Sequence, residues 1–319
     1  MSDSVKKNCI LFDWFSMTST NDTLFSWISR LRLDKCQFTE RVGGPAGKYG
    51  FKKTYSFMHI NIYTNHFNDD SLTMLDMSGQ GCREFETYGS GDFVYLFRLC
   101  CTHDSYNVTR LDVAHDDHEG LLNIDTVWRE TMALNYVSKA RKNIKTSEYN
   151  GDFEEKSIMF GKKSSEVYVR IYDKAAERGY DSDVHWVRTE IVLKHDRAAE
   201  FLRMYLGGMP IGKLFYGVLN NYIRFIVPDP TESNKSRLKV RKWWLKFIGS
   251  VERISVYVKK DVEYNLHKLK RYVFHQCGNS IETLIRCIGG GDFFTELLER
   301  DTRLTERQKV LIKQCNAVA

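Results

Sequence analysis

Three short stretches of this chain carry arginine together with tyrosine or carboxylate at alternating positions, the spacing at which a β-strand presents one face. In Glu166 to Arg178 (EVYVRIYDKAAER), Val167, Val169 and Ile171 point one way and Tyr168, Arg170 and Tyr172 the other. Asp173, Lys174 and a helical turn over Ala175 to Arg178 follow. A phenol beside fixed positive charge is a candidate nucleophile, because that charge favours the attacking phenolate. The chain holds 17 tyrosines, and most tyrosines are amphipathic packing residues, so this segment alone does not single one out.

The second stretch, Val108 to Asp116 (VTRLDVAHD), puts Leu111, Val113 and His115 on one face and Arg110, Asp112, Ala114 and Asp116 on the other. Two carboxylates on one strand face repel each other unless a cation lies between them. A divalent metal would serve, and so would Arg110; an exposed face would also tolerate both aspartates. The third stretch, Trp186 to Lys194 (WVRTEIVLK), sets Val187, Thr189, Ile191 and Leu193 against Arg188 and Glu190. If the three strands are neighbours, one sheet face gathers Arg110, Asp112, Asp116, Arg170, Tyr172, Arg188 and Glu190. Carboxylate oxygens suit Mg²⁺ or Mn²⁺, which neutralise charge in phosphoryl transfer. Lys174 or an arginine can steady a pentavalent phosphorus, and a tyrosine so placed would attack a phosphodiester.

Around these strands the pattern is mixed α and β. Cys9 to Thr18, Tyr55 to Tyr63 and Thr73 to Met77 read as strands, and Ser157 to Phe160 pairs with Glu166 to Tyr172 as a hairpin. Asn21 to Arg32, capped by Asn21 and Asp22, Asp92 to His103, Thr126 to Arg141 and Ile211 to Ile226 read as helices. Val42 to Gly50, the MSGQGCREF segment (Met77 to Phe85) and Ser147 to Glu155 read as turns or loops, the second able to offer backbone amides to phosphate. Asp261 to Cys277, Phe293 to Glu299 and Thr305 to Cys315 read as further helices.

With 319 residues, 42% of them hydrophobic, and only 4 prolines, the chain can bury a large core in an ordered fold. A net charge of +6 permits a polyanionic partner without requiring one. Eight cysteines without a paired C-x-x-C pattern fit a reducing compartment, and the short, charge-interrupted N-terminal apolar run fits neither a signal peptide nor a membrane span. A soluble cytoplasmic protein is expected. Arg237 to Phe247 (RLKVRKWWLKF) interleaves basic and aromatic residues; it can grip DNA or form a helix with a solvated basic face and a buried tryptophan face.

In TRLDVAHDD (Thr109 to Asp117), MFGKKSSEVYVRIYDKAAERG (Met159 to Gly179) and WVRTEIVLKHD (Trp186 to Asp196), the chain resembles the rolling-circle replication initiation factors of plasmids and phages and the related relaxases of integrative elements. The resemblance implies an enzyme that nicks one DNA strand at an origin hairpin, forms a 5′-phosphotyrosine link through Tyr172 and frees a 3′-OH primer. It assigns Asp112, Asp116 and Glu190 to a divalent metal, Mg²⁺ or Mn²⁺, and implies a homodimer, a host helicase and a bacterial cytoplasm.

The expected fold is α+β, with a mostly antiparallel catalytic sheet flanked by helices. The division expected is a catalytic domain over residues 1–208 and a helical region over 209–319 that contacts origin DNA. Arg170, Lys174 and Arg188 are the catalytic candidates beside Tyr172. Arg110, Lys162, Lys163, Arg237, Lys239, Arg241 and Lys242 are the candidates for DNA contact. Tyr168 is the second choice of nucleophile. His115 and His118 do not match a His-hydrophobe-His metal motif and are expected as one packed and one exposed histidine. A non-catalytic origin-binding protein and a plain metal nuclease are the alternatives.

Overall fold

The computed structural model describes residues 7–41, 48–140, 143–150, 153–180, 183–249, 251–257, 266, 269–270, 273–299, 304–305, 308–309 and 311–313. In chain order the first elements are β1 (Cys9–Ser19), α1 (Leu24–Leu31), β2 (Thr39–Glu40), β3 (Phe51–Phe57), β4 (Ile60–His66), β5 (Thr73–Met77), α2 (Gly79–Tyr88) and α3 (Phe93–Thr102). There follow β6 (Tyr106–Asp117), α4 (Ile124–Met132), β7 (Tyr136–Ser138), β8 (Asn143–Asn150), β9 (Phe153–Phe160), β10 (Val167–Asp173), α5 (Lys174–Glu177), β11 (Val187–Lys194) and α6 (Asp196–Leu206). The chain continues through α7 (Ile211–Tyr222), β12 (Ile223–Phe225), α8 (Lys242–Ile248), α9 (Gly278–Ile288) and α10 (Gly290–Glu299).

Ten strands form one sheet in the order β2-β3-β4-β5-β1-β6-β11-β10-β9-β8, with every neighbouring pair antiparallel. The three strands with alternating chemistry are therefore neighbours, β6 beside β11 beside β10. Their apolar residues, Leu111, Val113, Val169, Ile171, Ile191 and Leu193, are all fully buried in the main core. That pattern is what antiparallel strands with one covered face require.

Several local expectations are corrected. The apolar run Tyr55 to Tyr63 is two strands, folded at Met58 and His59, and Met58 takes the left-handed conformation (φ 49°) that such a tight turn needs. The glycine-rich MSGQGCREF segment is the start of helix α2, not a turn. Its glycines serve packing: a Cβ on Gly79 would lie 2.7 Å from a carboxylate oxygen of Asp13, and one on Gly81 would lie 2.5 Å from the backbone oxygen of His59. Helix α1 is capped by Thr23 rather than by Asn21 or Asp22, through a reciprocal capping box with Ser26, while Asp22 holds Arg30 at 2.7 Å.

The helix expected over Thr126 to Arg141 stops at Met132; Leu134 turns left-handed (φ 57°) and β7 follows. The Ser147 to Glu155 loop is instead the end of β8 and the start of β9, with residues 151–152 outside the described set. The helix from Ile211 ends at Tyr222, and Ile223–Phe225 pairs with β7. Residues 42–47, 261–265, 267–268, 271–272, 306–307, 310 and 314–315 lie outside the described residues, so the readings over Val42 to Gly50, Asp261 to Cys277 and Thr305 to Cys315 fall partly there.

By contact the chain divides into Met1–Val258 and Lys259–Ala319. The first unit contains the whole sheet. Phe215 and Leu219 of α7, Phe225 of β12 and Trp244 of α8 are fully buried in the same core as Phe15, Leu111 and Ile171. The helical region expected to begin at residue 209 thus starts inside the unit that holds the sheet. The second unit has α9 and α10 as its longest described elements, separated by Gly289.

A fragment ending at residue 208 would lose Leu214, Phe215, Leu219, Ile223, Phe225, Trp244 and Phe247 from this core. Each such side chain contributes about 1.5–3 kcal/mol of burial, against a net stability of about 5–15 kcal/mol for a typical domain. The fragment is expected to show no cooperative urea unfolding by circular dichroism. A sharp native-like transition would show that the sheet stands without those residues.

Candidate active site

The polar face of β6, β11 and β10 forms the wall of a cavity of about 500 Å³. Register explains the grouping. Tyr172 of β10 stands opposite Arg188 of β11, and Arg170 opposite Glu190. Arg188 in turn stands opposite Asp116 of β6, and Glu190 opposite Ala114. With only a methyl at Ala114, the carboxyl of Glu190 has room to reach diagonally to Tyr172, within the range of such neighbours.

The Tyr172 hydroxyl donates to Glu190 Oε1 at 2.5 Å, and Arg170 Nη1 approaches the other oxygen, Oε2, at 3.4 Å. Tyr172 itself is 1% exposed. The Arg170 guanidinium lies 4.5 Å from its ring centroid and the Lys174 ammonium 5.5 Å away. Lys174 is buried at the head of α5 and paired with Glu177. Burial, and then the negative charge of Glu190, push the Tyr172 phenol well above its usual range; Arg188 pulls the other way and does not prevail. A resting phenolate is thus disfavoured. Glu190 is also raised, first by burial, with Asp13 repulsion adding and Arg170 opposing. A carboxylate of raised basicity therefore holds a reluctant acid.

Arg188 closes on Asp116 with two hydrogen bonds, Nε to Oδ1 at 2.6 Å and Nη2 to Oδ2 at 2.7 Å, and reaches Asp13 Oδ1 through Nη1 at 2.8 Å. Burial would raise Asp116, but this bidentate pair more than offsets it and holds the carboxyl below its ordinary range. Arg110 clasps Asp112 in the same way at 2.9 and 2.7 Å. Here burial prevails, with repulsion from Glu190 and Asp13 added, and Asp112 is pushed up to about 7. The guanidinium of Arg110 also stacks 3.9 Å from the Trp14 ring, whose N–H donates to Asp76 at 2.8 Å.

Asp13 and Trp14 were not among the expected site residues. Strict alternation along β1 would send Trp14 to the core face beside Phe12. The register of β1 against β6 shifts between Phe12 and Trp14, so Asp13 is the extra residue of a bulge and both it and Trp14 line the cavity. A carboxylate inside an apolar run was the signal in the sequence. Arg83 and the Ser78 end of α2 complete the opposite wall, and Arg83 Nη2 is tied to the Phe12 carbonyl at 2.7 Å.

The cavity thus brings together Tyr172, Arg170, Lys174, Arg188, Asp112, Asp116, Glu190 and Arg110. It does not include Lys162, Lys163, Arg237, Lys239, Arg241 or Lys242. Lys162 and Lys163 are exposed in the β9–β10 turn, and Arg237, Lys239 and Lys242 are exposed around the start of α8. Arg241 pairs with Glu130 at 2.9 Å. Trp244 is fully buried and Trp243 stacks on Phe225, so RLKVRKWWLKF has its tryptophans on the covered side. Tyr168 shares the face of Tyr172 but packs with Met159 and Val192 away from the cavity. His115 is buried against Phe215, Tyr216 and Phe247, and His118 stacks on Trp186.

The carboxylates have the donor chemistry that Mg²⁺ or Mn²⁺ prefers, but they are not placed to hold one. Both oxygens of Asp112 and of Asp116 are taken by guanidinium, those of Glu190 by Tyr172 and Arg170. Among the described residues no three His, Cys, Asp or Glu side chains form a group that could hold a metal ion. In this arrangement the cation beside Asp112 and beside Asp116 is an arginine.

Comparison with known proteins places this sheet and its cavity in a family. Residues 106–299 match the family described as replication initiation factor, and residues 10–95 match the rolling circle replication initiation protein N-terminal domain. The chain belongs to the replication initiation factor family. It is 27% identical over 270 residues to the putative DNA relaxase NicK of Bacillus subtilis (strain 168), covering 80% of this chain and 74% of that protein. It is also similar to the solved rolling circle replication initiator protein from Geobacillus stearothermophilus, with 30% identity and a TM-score of 0.68 over 79% of this chain and 100% of that one.

The Arg188–Asp116 pair is buried, at 7% and 6% side-chain exposure. Arg188→Ala is expected to lower unfolding stability by about 3–5 kcal/mol, because Asp116 is left charged and unpaired. The double variant Arg188→Ala/Asp116→Ala should lose less than the sum of the two single losses in a denaturant cycle. Additive losses would show that the pair is not coupled.

Proposed function

We propose that this protein nicks and rejoins one strand of origin DNA, with Tyr172 as the nucleophile and Glu190 as its general base. The 2.5 Å hydrogen bond from the phenol to Glu190, inside an arginine-lined cavity, carries the proposal. Tyr172 Oη attacks the scissile phosphorus as its proton passes to Glu190, which avoids the costly free phenolate. The new O–P bond links the protein to the 5′-phosphate end of the cut strand, the P–O3′ bond breaks, and the 3′ oxygen leaves as the primer hydroxyl with a proton taken from solvent. Arg188, Arg170 and Lys174 face the phosphoryl oxygens whose charge grows in the transition state. Rejoining is the reverse, with the 3′-OH as nucleophile. The relatives named as a relaxase and an initiator support this chemistry.

The partner is origin DNA, as a hairpin or single strand, with Arg110 near the cut and Lys162, Lys163, Arg237, Lys239 and Lys242 as candidates for backbone contact. The homodimer and host helicase come from the resemblance rather than from the cavity. No described helix is long and apolar enough to cross a membrane.

Tyr172→Phe should abolish both nicking of supercoiled origin DNA and the covalent adduct seen on a denaturing gel; an adduct that survives would transfer the role to another residue, with Tyr168 tested next. Glu190→Gln keeps a hydrogen-bond acceptor but not a base, and should slow nicking by about 10²–10⁴-fold while leaving DNA binding intact. Nicked product without any attached protein from the wild-type chain would support a metal nuclease instead, and origin binding with no cutting would support a non-catalytic role.

Any Mg²⁺ or Mn²⁺ would bind with the DNA rather than before it. The ion would be held by Asp112 and by the Arg170-facing oxygen of Glu190 only where phosphate oxygens drew Arg110 and Arg170 away from them. A bound dication would add positive charge at the phosphoryl oxygens. Calorimetric titration of Mn²⁺ should show uptake in the presence of an origin oligonucleotide that is at least tenfold tighter than by protein alone. Equal affinity in both would refute this order of binding.

A further inference from the structure

A second cavity, of about 750 Å³, opens beside the first residues of β10. Its volume is in the range that takes a nucleotide-sized ligand. Lys139, Glu166, Arg197, Tyr222, Ser255 and Tyr257 are among its lining residues. None of them belongs to the catalytic cavity. Val167, at its edge, is five residues from Tyr172 along the same strand, which places the two sites ~17 Å apart along the strand axis.

The chemistry of this lining is that of a stacking platform with a phosphate contact. Tyr257 is 69% exposed, so its ring is not a core residue. It is nonetheless held: the Arg197 guanidinium lies 4.6 Å from the ring centroid. Arg197 is itself fixed by Glu166 at 3.1 Å and by the Val256 carbonyl at 3.2 Å. Tyr222, whose hydroxyl donates to the Val167 carbonyl at 2.7 Å, gives the cavity a second, immobile aromatic wall. A rigid, solvent-facing aromatic beside a fixed guanidinium loses little entropy when a base stacks on it.

Positive charge here exceeds negative. Glu166, the one acid of the lining, is committed to Arg197. Lys139 makes a hydrogen bond to the neutral Asn221 side chain at 2.7 Å, and its ammonium is lowered by burial and by the nearby charge of Arg253. Ser165, also in the lining, anchors the β9–β10 turn through its bond with the Lys162 backbone, and that turn presents the exposed Lys162 and Lys163. An anion placed beside Lys139 and Arg253 would relieve their repulsion.

We infer that this cavity is a nucleotide subsite for single-stranded DNA, distant from the cut, in which a base stacks on Tyr257 and a backbone phosphate meets Lys139. The subsite rests on the protein's acting on DNA but not on the identity of the nucleophile. It holds the strand by stacking and charge, so it grips any sequence, and it would keep an unpaired strand attached while the scissile bond is engaged elsewhere.

The test is fluorescence anisotropy of the full chain with a labelled oligothymidylate of about 20 nucleotides, long enough to reach past a ~17 Å span. Tyr257→Ala should weaken binding by about tenfold or more, the range seen for one lost base–aromatic stack, and Tyr257→Phe should bind like the wild type. Lys139→Ala should reduce the slope of log affinity against log salt by about 0.7, one single-strand phosphate contact. Thermal melting checks that each variant is folded, and the exposure of Tyr257 and Lys139 makes that the expected result. Adduct formation on a short oligonucleotide spanning only the nick should be unchanged in Tyr257→Ala. Wild-type affinity in Tyr257→Ala, or equal weakening in Tyr257→Phe, would overturn the subsite while leaving the nicking chemistry standing. Absence of any adduct from the wild type would sink the nicking proposal and leave the binding comparison valid.

Discussion

Carboxylates buried on the face of a sheet are tolerable only if cations are buried with them, and this constraint shapes the centre of the protein. Asp13, Asp112, Asp116 and Glu190 come from three adjacent strands and converge on one cavity. Left alone they would neutralise themselves by binding protons or would open the sheet. Arg188, reaching from β11 to Asp116 on β6 and Asp13 on β1, ties three strands with one guanidinium. Arg110 and Arg170 do the same work on Asp112 and Glu190. A lysine could not replace Arg188 here, since a point charge cannot present a fork to Asp116 and a third N–H to Asp13 at once.

The same compensation sets the reactivity of Tyr172. Arginine beside a phenol suggests a stabilised phenolate, but the surroundings act otherwise: the positive charges are already drawn toward carboxylates, and burial keeps the phenol protonated. What the site supplies instead is a short hydrogen bond to a carboxylate whose own basicity is raised by burial. In the proposed reaction, proton loss is tied to bond formation at phosphorus. A phosphodiester entering the cavity would change the balance, because its oxygens would be new partners for arginines that until then served carboxylates. Substrate charge and site charge are in this sense exchangeable.

How much of this was legible in the sequence follows from which rules are local. Alternation was enough to find β6, β10 and β11 and to sort their faces, because each has one largely apolar side. It failed at Asp13 and Trp14, where a bulge inserts a residue and turns two consecutive side chains to the same face; no periodicity announces a bulge. It failed at Gly79 and Gly81, which look like turn residues and are helix residues chosen for close packing against Asp13 and His59. Polar segments such as Ser147 to Glu155 also read as loop because their strand character comes from pairing at the end of the sheet rather than from an apolar face. The metal set came from a shared strand face and from the resemblance, and neither reveals that Asp116 and Glu190 have arginine partners on β11 and β10.

The back of the sheet bears on the chemistry as directly as the front. His115 lies between Ala114 and Asp116 on β6 and points into the core, where Phe215 and Tyr216 of α7 and Phe247 of α8 surround its ring. Burial lowers its affinity for a proton, with Asp117 and Asp116 opposing. A strand carrying the cavity's carboxylates on one side is thus packed by helices from beyond residue 209 on the other. Because neighbouring side chains on a strand alternate between faces, any shift of β6 that loosened His115 from those rings would also displace Asp116 from Arg188. The precision of the charged face is inherited from the packing of the apolar one.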